Sequence, residues 1–176
     1  MKKPVHNCIF AQSEKLIAMD EKDKRFMRRA IDLAKEGMDS GTGGPFGAVV
    51  VKNNKIIGEG CNRVTSENDP TAHAEIVAIR DACNQLGVFE LKGCTLYTSC
   101  EPCPMCLGAI YWAHPDEVFY ACTIDDAAKI NFDDRYIYDE IGKTPDERQI
   151  PFKNVLRNEG LLLFEKWDIK PDKTNY

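Results

Sequence analysis

Two short runs carry side chains suited to holding a metal and moving a proton. They are His73-Ala74-Glu75 and Pro102-Cys103-Pro104-Met105-Cys106. Histidine nitrogens and cysteine thiolates are the usual ligands of zinc. On a helix, Cys103 and Cys106 lie three apart and share one face. A tetrahedral zinc asks for sulfurs about 3.8 Å apart, within reach of such a pair. At a helix N-terminus the macrodipole lowers the pKa of both thiols, favouring the deprotonated form that a metal requires. His73 and Glu75 are two apart and point in different directions. His73 therefore reads as a ligand and Glu75 as a group that reaches the bound water from another side. One neutral histidine and two thiolates leave a fourth position open, which is the catalytic arrangement. Their charge cancels that of the metal and leaves room for a hydroxide. Such a metal lowers the pKa of its water to about 7. Glu75 can take that proton and return it later in the reaction.

Other readings of the same residues stand beside this one. Cys100 has the same spacing from Cys103, but it precedes Pro102 and falls in the turn before the helix, so the Cys103–Cys106 pair is preferred. A redox dithiol gives His73 and Glu75 no role. A structural zinc module or thiol switch would close the metal with four protein ligands, Cys100 among them. His6 and His114 have no comparable company.

The elements that must position these residues follow from periodicity. From Asp23, Phe26, Met27, Ala30, Ile31, Ala34 and Met38 recur at helical spacing, and Gly37 with Gly41-Thr42-Gly43-Gly44-Pro45 ends that helix. A phosphate loop runs strand, glycines, helix. Here the order is helix, glycines, strand, because Phe46 to Val51 follows. Lys52-Asn53-Asn54-Lys55 reads as a hairpin turn into a second strand, Ile56 to Cys61. Asp69-Pro70-Thr71 has the composition of a helix start, and that helix runs to Leu86 and stops at Gly87. Cys94 to Thr98 is a third strand. Pro102 opens a short helix ending near Ala113-His114-Pro115. Val118 to Ala121 is a fourth strand, and Leu161 to Phe164 reads as a last one. This order is that of an α/β sheet with helices layered on it, in which the late strand–helix–strand unit is a right-handed parallel crossover. Residues 1–22 read as an N-terminal extension and 23–176 as one domain.

The chain has 176 residues, 43% of them hydrophobic and 29% charged, with a net charge of −5. The balance suits one globular domain. The negative sign disfavours a phosphate backbone as the main partner. Eight cysteines could be a disulfide framework. Most are scattered singly, the start lacks the unbroken apolar run of a signal peptide, and no stretch has the length to span a membrane. The expectation is a cytoplasmic protein with reduced thiols.

The segments Asn68 to Glu75 and Ser99 to Cys106 resemble the cytidine deaminase superfamily, whose H-x-E and P-C-x-x-C runs hold a catalytic zinc. Within it the chain is similar to the bacterial guanine deaminases. That likeness rests on Gly43-Gly44-Pro45-Phe46-Gly47-Ala48, Leu107 to Ala113, Phe132-Asp133-Asp134 and a chain ending on Tyr176. The resemblance implies a three-layer α/β/α sandwich around a central five-stranded mixed sheet and one zinc per chain. It implies hydrolysis of guanine to xanthine and ammonia. It assigns Phe46 to stack on the purine, Asn62 to hydrogen-bond it, Asp134 to accept from its ring N–H or amine, and Tyr176 to help close the pocket. Ala74 joins these substrate-binding positions, and Trp112 could line the site. A homodimer with exchanged C-terminal segments is implied as well. A tRNA adenosine deaminase is the sister activity, and cytosine or guanosine deamination shares the same zinc motif. A −5 chain is poorly suited to gripping the phosphates around a flipped base.

Overall fold

The structure is a computed structural model that describes residues 20–175. Its elements, in chain order, are α1 (Glu21–Asp39), β1 (Gly47–Lys52), β2 (Lys55–Cys61), α2 (Val64–Glu67), α3 (Ala74–Leu86), β3 (Cys94–Cys100), α4 (Pro104–Ala113), β4 (Glu117–Cys122), α5 (Ile124–Ala128), α6 (Arg135–Ile141) and α7 (Arg157–Asp168), with a 3-10 turn at Pro145–Glu147. The strands form one mixed sheet in the order β2-β1-β3-β4. β1 is antiparallel to both of its neighbours, and β3 and β4 are parallel, joined by the expected crossover through α4.

Strand alternation sorts the core into two layers. Val49, Val51 and Tyr97 face α1, where Phe26, Met27, Ala30 and Leu33 are buried against them. Tyr97 packs between Phe26 and Phe119, with ring centroids 5.4 and 5.1 Å away, and its hydroxyl donates to Asp23 at 2.6 Å. On the opposite face, Ala48, Val50 and Leu96 meet Ala74, Ala78 and Ala82 of α3 and Ile110 and Ala113 of α4. This is the α/β/α sandwich anticipated above. The β1–β2 turn passes through Asn53 and Asn54, both in the left-handed region, as a tight hairpin requires.

Three expectations are corrected. The sheet has four strands among the described residues, not five. Leu161 to Phe164 lies inside α7. A short apolar run is ambiguous by periodicity, and here it contains no β-branched residue and is flanked by the helix formers Glu159, Glu165 and Lys166. The helix expected from Asp69 begins at Ala74. The Asp69 carboxylate is spent locally, accepting from the Thr71 N–H at 2.8 Å and the Thr71 hydroxyl at 2.7 Å. That Asx turn carries the chain around to His73. The first helix begins two residues earlier than the apolar pattern does, because Asp20 caps it by accepting from the Lys22 N–H. The segment 1–19, with His6, Cys8 and most of the expected extension, lies outside the described residues, as does Tyr176.

The contact between α3 and β2 is built from small residues. A Cβ placed on Gly60 would fall against the Ala74 carbonyl and 2.6 Å from the Ala78 nitrogen, and one on Gly58 would fall 2.7 Å from the Ala82 nitrogen. Backbone lies against backbone, so no side chain can swing aside. Gly60→Ala should cost about 1–3 kcal/mol or more, read as a lower denaturant midpoint. Turnover should fall with it, since the start of α3 is displaced.

Candidate active site

The two chemical runs meet because α3 and α4 both begin on the same side of the sheet. His73 is the N-cap of α3 and Cys103 the N-cap of α4. Both have extended backbone angles and neither uses its side chain to cap its helix, which leaves both side chains available elsewhere. Pro104 occupies the first turn of α4, where its missing N–H costs nothing. Cys106 is then the third helical residue. N-cap and N3 side chains are neighbours in any helix, so the three-residue spacing brings the two sulfurs together even though Cys103 itself precedes the helix.

The His73 Nδ1 atom lies 3.5 Å from the Cys103 sulfur and 3.6 Å from the Cys106 sulfur. The three ligand atoms all fall within 4.8 Å of one another. Zinc bonded tetrahedrally at its usual lengths would hold nitrogen and sulfur about 3.6 Å apart. The donor set therefore fits zinc in chemistry and in spacing. Glu75 is 6% exposed, and its Oε2 lies 3.4 Å from the Cys106 sulfur. Its carboxylate stands beside the ligand cluster rather than in it.

The electrostatics favour a cation among these side chains. The Cys103 thiol is pulled down to about 4, first by the hydrogen bond from Cys106 and then by His73. Cys106 is pushed up by its bond to Cys103 and by burial beside Glu75. Together the pair retains one proton, which a cation would displace. His73 is raised chiefly by the Cys103 thiolate, and Glu75 is raised chiefly by burial.

A cavity of about 450 Å³ opens over this cluster at the carboxyl end of β3. Phe46, Asn62, His73, Glu75, Cys103 and Asp134 all line it, so six expected site residues share one space. Cys106 is fully buried behind them. Asn62 is held from behind: its Oδ1 accepts from the Gly44 N–H at 3.3 Å and the Val64 N–H at 3.2 Å. With the carbonyl occupied, the NH₂ group is what Asn62 can offer. Asp134 is the N-cap of α6 but makes no capping bond, and burial raises its carboxyl. Ala74 is fully buried in the core and does not line the cavity. Its backbone N–H, at the open start of α3, is its polar group on that side. Trp112 is outside the lining and 65% exposed.

Phe132 and Glu101 are among the lining residues that the sequence reading did not single out as site residues. Phe132 meets Phe46 edge to face, with centroids 4.9 Å apart. Glu101 reaches the wall and accepts from the Ile124 N–H. Phe132 sits in a run that carried the family likeness, which was its only sequence signal. Glu101 had none beyond its place between Cys100 and Pro102.

Comparison with known proteins agrees with this geometry. Residues 20–122 match the cytidine and deoxycytidylate deaminase zinc-binding region. The chain is 58% identical over 151 residues to guanine deaminase of Bacillus subtilis, covering 86% of this chain and 97% of that one. The tRNA-specific adenosine deaminase of the same organism is 41% identical over 98 residues, 56% of this chain and 60% of that protein. The X-ray structure of guanine deaminase from Bacillus subtilis superposes with a TM-score of 0.85 at 57% identity, covering 87% of this chain and 98% of the other. Guanine deaminase from Nitrosomonas europaea superposes with a TM-score of 0.59 at 32% identity, covering 69% and 66% of the two chains. A zinc-ready donor set, the matched motif region and near full-length identity together place this chain in the cytidine and deoxycytidylate deaminase zinc-binding family, among its guanine deaminases.

Proposed function

We infer that this protein hydrolyses guanine to xanthine and ammonia, with one zinc held by His73, Cys103 and Cys106. The observation that carries the reading is the His73 Nδ1 atom 3.5 and 3.6 Å from two sulfurs, with the Glu75 carboxylate beside them in one cavity. Bound zinc supplies an acidified water that loses its proton near neutral pH. Glu75 accepts that proton and delivers it to the ring and then to the departing amine. Burial raises the Glu75 carboxyl toward the range where it can both take and give a proton. Phe46 offers a flat apolar face to the purine, fixed in orientation by Phe132. Asn62 donates from its NH₂ group to a purine acceptor. Asp134 accepts from a ring N–H or the amine.

The carboxylate is the sharpest test. Glu75→Gln should keep about one zinc per chain and lose roughly 10²–10⁴-fold in turnover, read by metal analysis and ammonia release. A variant as fast as the parent would remove Glu75 from the mechanism. The substrate is tested by ammonia release from guanine, guanosine, cytosine, adenine and tRNA. Guanine should lead, and salt-sensitive turnover of tRNA in its place would assign the sister activity.

We also propose that the protein is a homodimer. Leu162, Leu163, Phe164 and Trp167 on α7 are between 45% and 73% exposed, and Ile150, Phe152 and Val155 between 54% and 74%. So many exposed large apolar side chains near the C-terminus are the mark of a covered face. Tyr176 would close the pocket from this region, in the same chain or the neighbour. Light scattering should give about twice the chain mass, and Phe164→Asp should lower it. A monomeric parent protein would overturn the dimer. The described cysteines are all free thiols, which suits a reducing cytoplasm.

A further inference from the structure

Cys100 and Cys122 have no part in the chemistry above, yet they face each other across the sheet. They are register partners in the parallel ladder of β3 and β4. The rung is closed by the Glu101 N–H, which donates to the Cys122 carbonyl at 2.8 Å. Leu96 and Val118, four residues earlier on each strand, both pack on the α3–α4 side. By strand alternation Cys100 and Cys122 point to that same side. Neighbouring strands run about 4.7–4.9 Å apart, and a disulfide spans Cα atoms about 4.4–6.8 Å apart. The two ends of the pair differ. Cys122 is exposed, whereas Cys100 is buried and forms part of the cavity wall.

We propose that Cys100 and Cys122 form a reversible disulfide under hydroperoxide, and that this cross-link at the cavity wall lowers turnover. Cys122 meets the oxidant first. Its sulfur attacks one peroxide oxygen, an S–O bond forms, the O–O bond breaks, and the leaving oxygen departs as water with the thiol proton. The Cys100 sulfur then displaces the remaining oxygen. An S–S bond forms, the S–O bond breaks, and a second water carries off the Cys100 proton. Both sulfurs are oxidised and the peroxide is reduced. Burial and the neighbouring Cys122 hold the Cys100 thiol up at about 12, so the first attack falls to the exposed Cys122. The cross-link draws the Cys100 sulfur away from the Thr123 carbonyl, which it now meets at 3.6 Å. It also tugs the strand end from which the Glu101-Pro102-Cys103 turn departs. Small displacements of a ligand are costly to rate.

The test uses the zinc-loaded full chain treated with hydrogen peroxide. Non-reducing cleavage after glutamate, which spares the Glu101-Pro102 bond, separates residues 91–117 from 118–140. The two segments should appear joined, with tandem mass spectrometry placing the bond at Cys100 and Cys122 and a mass lower by two hydrogens. Zinc should remain bound, turnover should fall several-fold, and a dithiol should restore both thiols and turnover. Cys122→Ser should keep parental turnover before peroxide and resist the loss. The turnover readings rest on the guanine assignment, while the cross-link is read without it. Cys122 found only as an oxidised monothiol or bonded between chains, a cross-link that leaves turnover unchanged, or equal inactivation of Cys122→Ser with release of zinc would each overturn the proposal.

Discussion

Almost everything in this molecule follows from the need to bring two helix starts within bonding distance of one point. α3 and α4 each present an N-cap side chain, His73 and Cys103, and each directs the positive end of its dipole at the same cluster of sulfurs. That meeting requires α3 to lie close on the sheet, and the closeness comes from glycines in β2 facing alanines in α3. The small-residue seam thus supports the metal site, and Ala74 at its end is bonded directly to His73. The other face has a close approach of its own, where Gly47 lies against the Ala30 carbonyl and the Ala34 nitrogen of α1, and Phe26, Met27 and Leu33 fill the space around it.

The same economy is seen in the residues one shell further out. Asn62 spends its carbonyl oxygen on two backbone N–H groups. Phe132 spends its edge on the Phe46 ring. Neither arrangement adds much to stability, but each removes a rotamer from a side chain that faces the cavity. Order in the cavity is supplied by the chain before any ligand arrives, which is the condition for electrostatic catalysis without reorganisation.

Legibility in the sequence divides along physical lines. The hairpin, the buried strands and the existence of a short helix ending near Ala113 were readable because local chemistry decides them: paired asparagines for the turn, continuous apolar runs for the strands, a proline in the first turn, although that proline is Pro104 and not the expected Pro102. The metal site was readable because His73, Cys103 and Cys106 are rare types at a meaningful spacing. Errors fell where a residue had two uses. Asp69 looks like a helix cap and is an Asx turn. Leu161 to Phe164 looks like a strand and is helical, since four apolar residues carry no period of their own. Phe132 was invisible as a lining residue because its place depends on how the segment after β4 returns to Phe46, and Glu101 because its carboxylate is held by the Ile124 N–H, tertiary facts with no local signature.

The end of β4 has a consequence for how such proteins diversify. Every residue of the zinc cluster, with Glu75, Phe46 and Asn62, lies within 20–122, the stretch matched across the zinc-binding deaminases. Phe132, Asp134 and the exposed C-terminal helix all come after it. The metal-ready cluster is therefore written on one length of chain, whereas the cavity wall draws on two, with Phe46 and Asn62 before Cys122 and Phe132 and Asp134 after it. A lineage can rewrite its final fifty or so residues, and with them the shape of the pocket's far wall, without disturbing that cluster. The cavity is a seam between an inherited half and a negotiable one, and new base preferences would be sought first on the negotiable side.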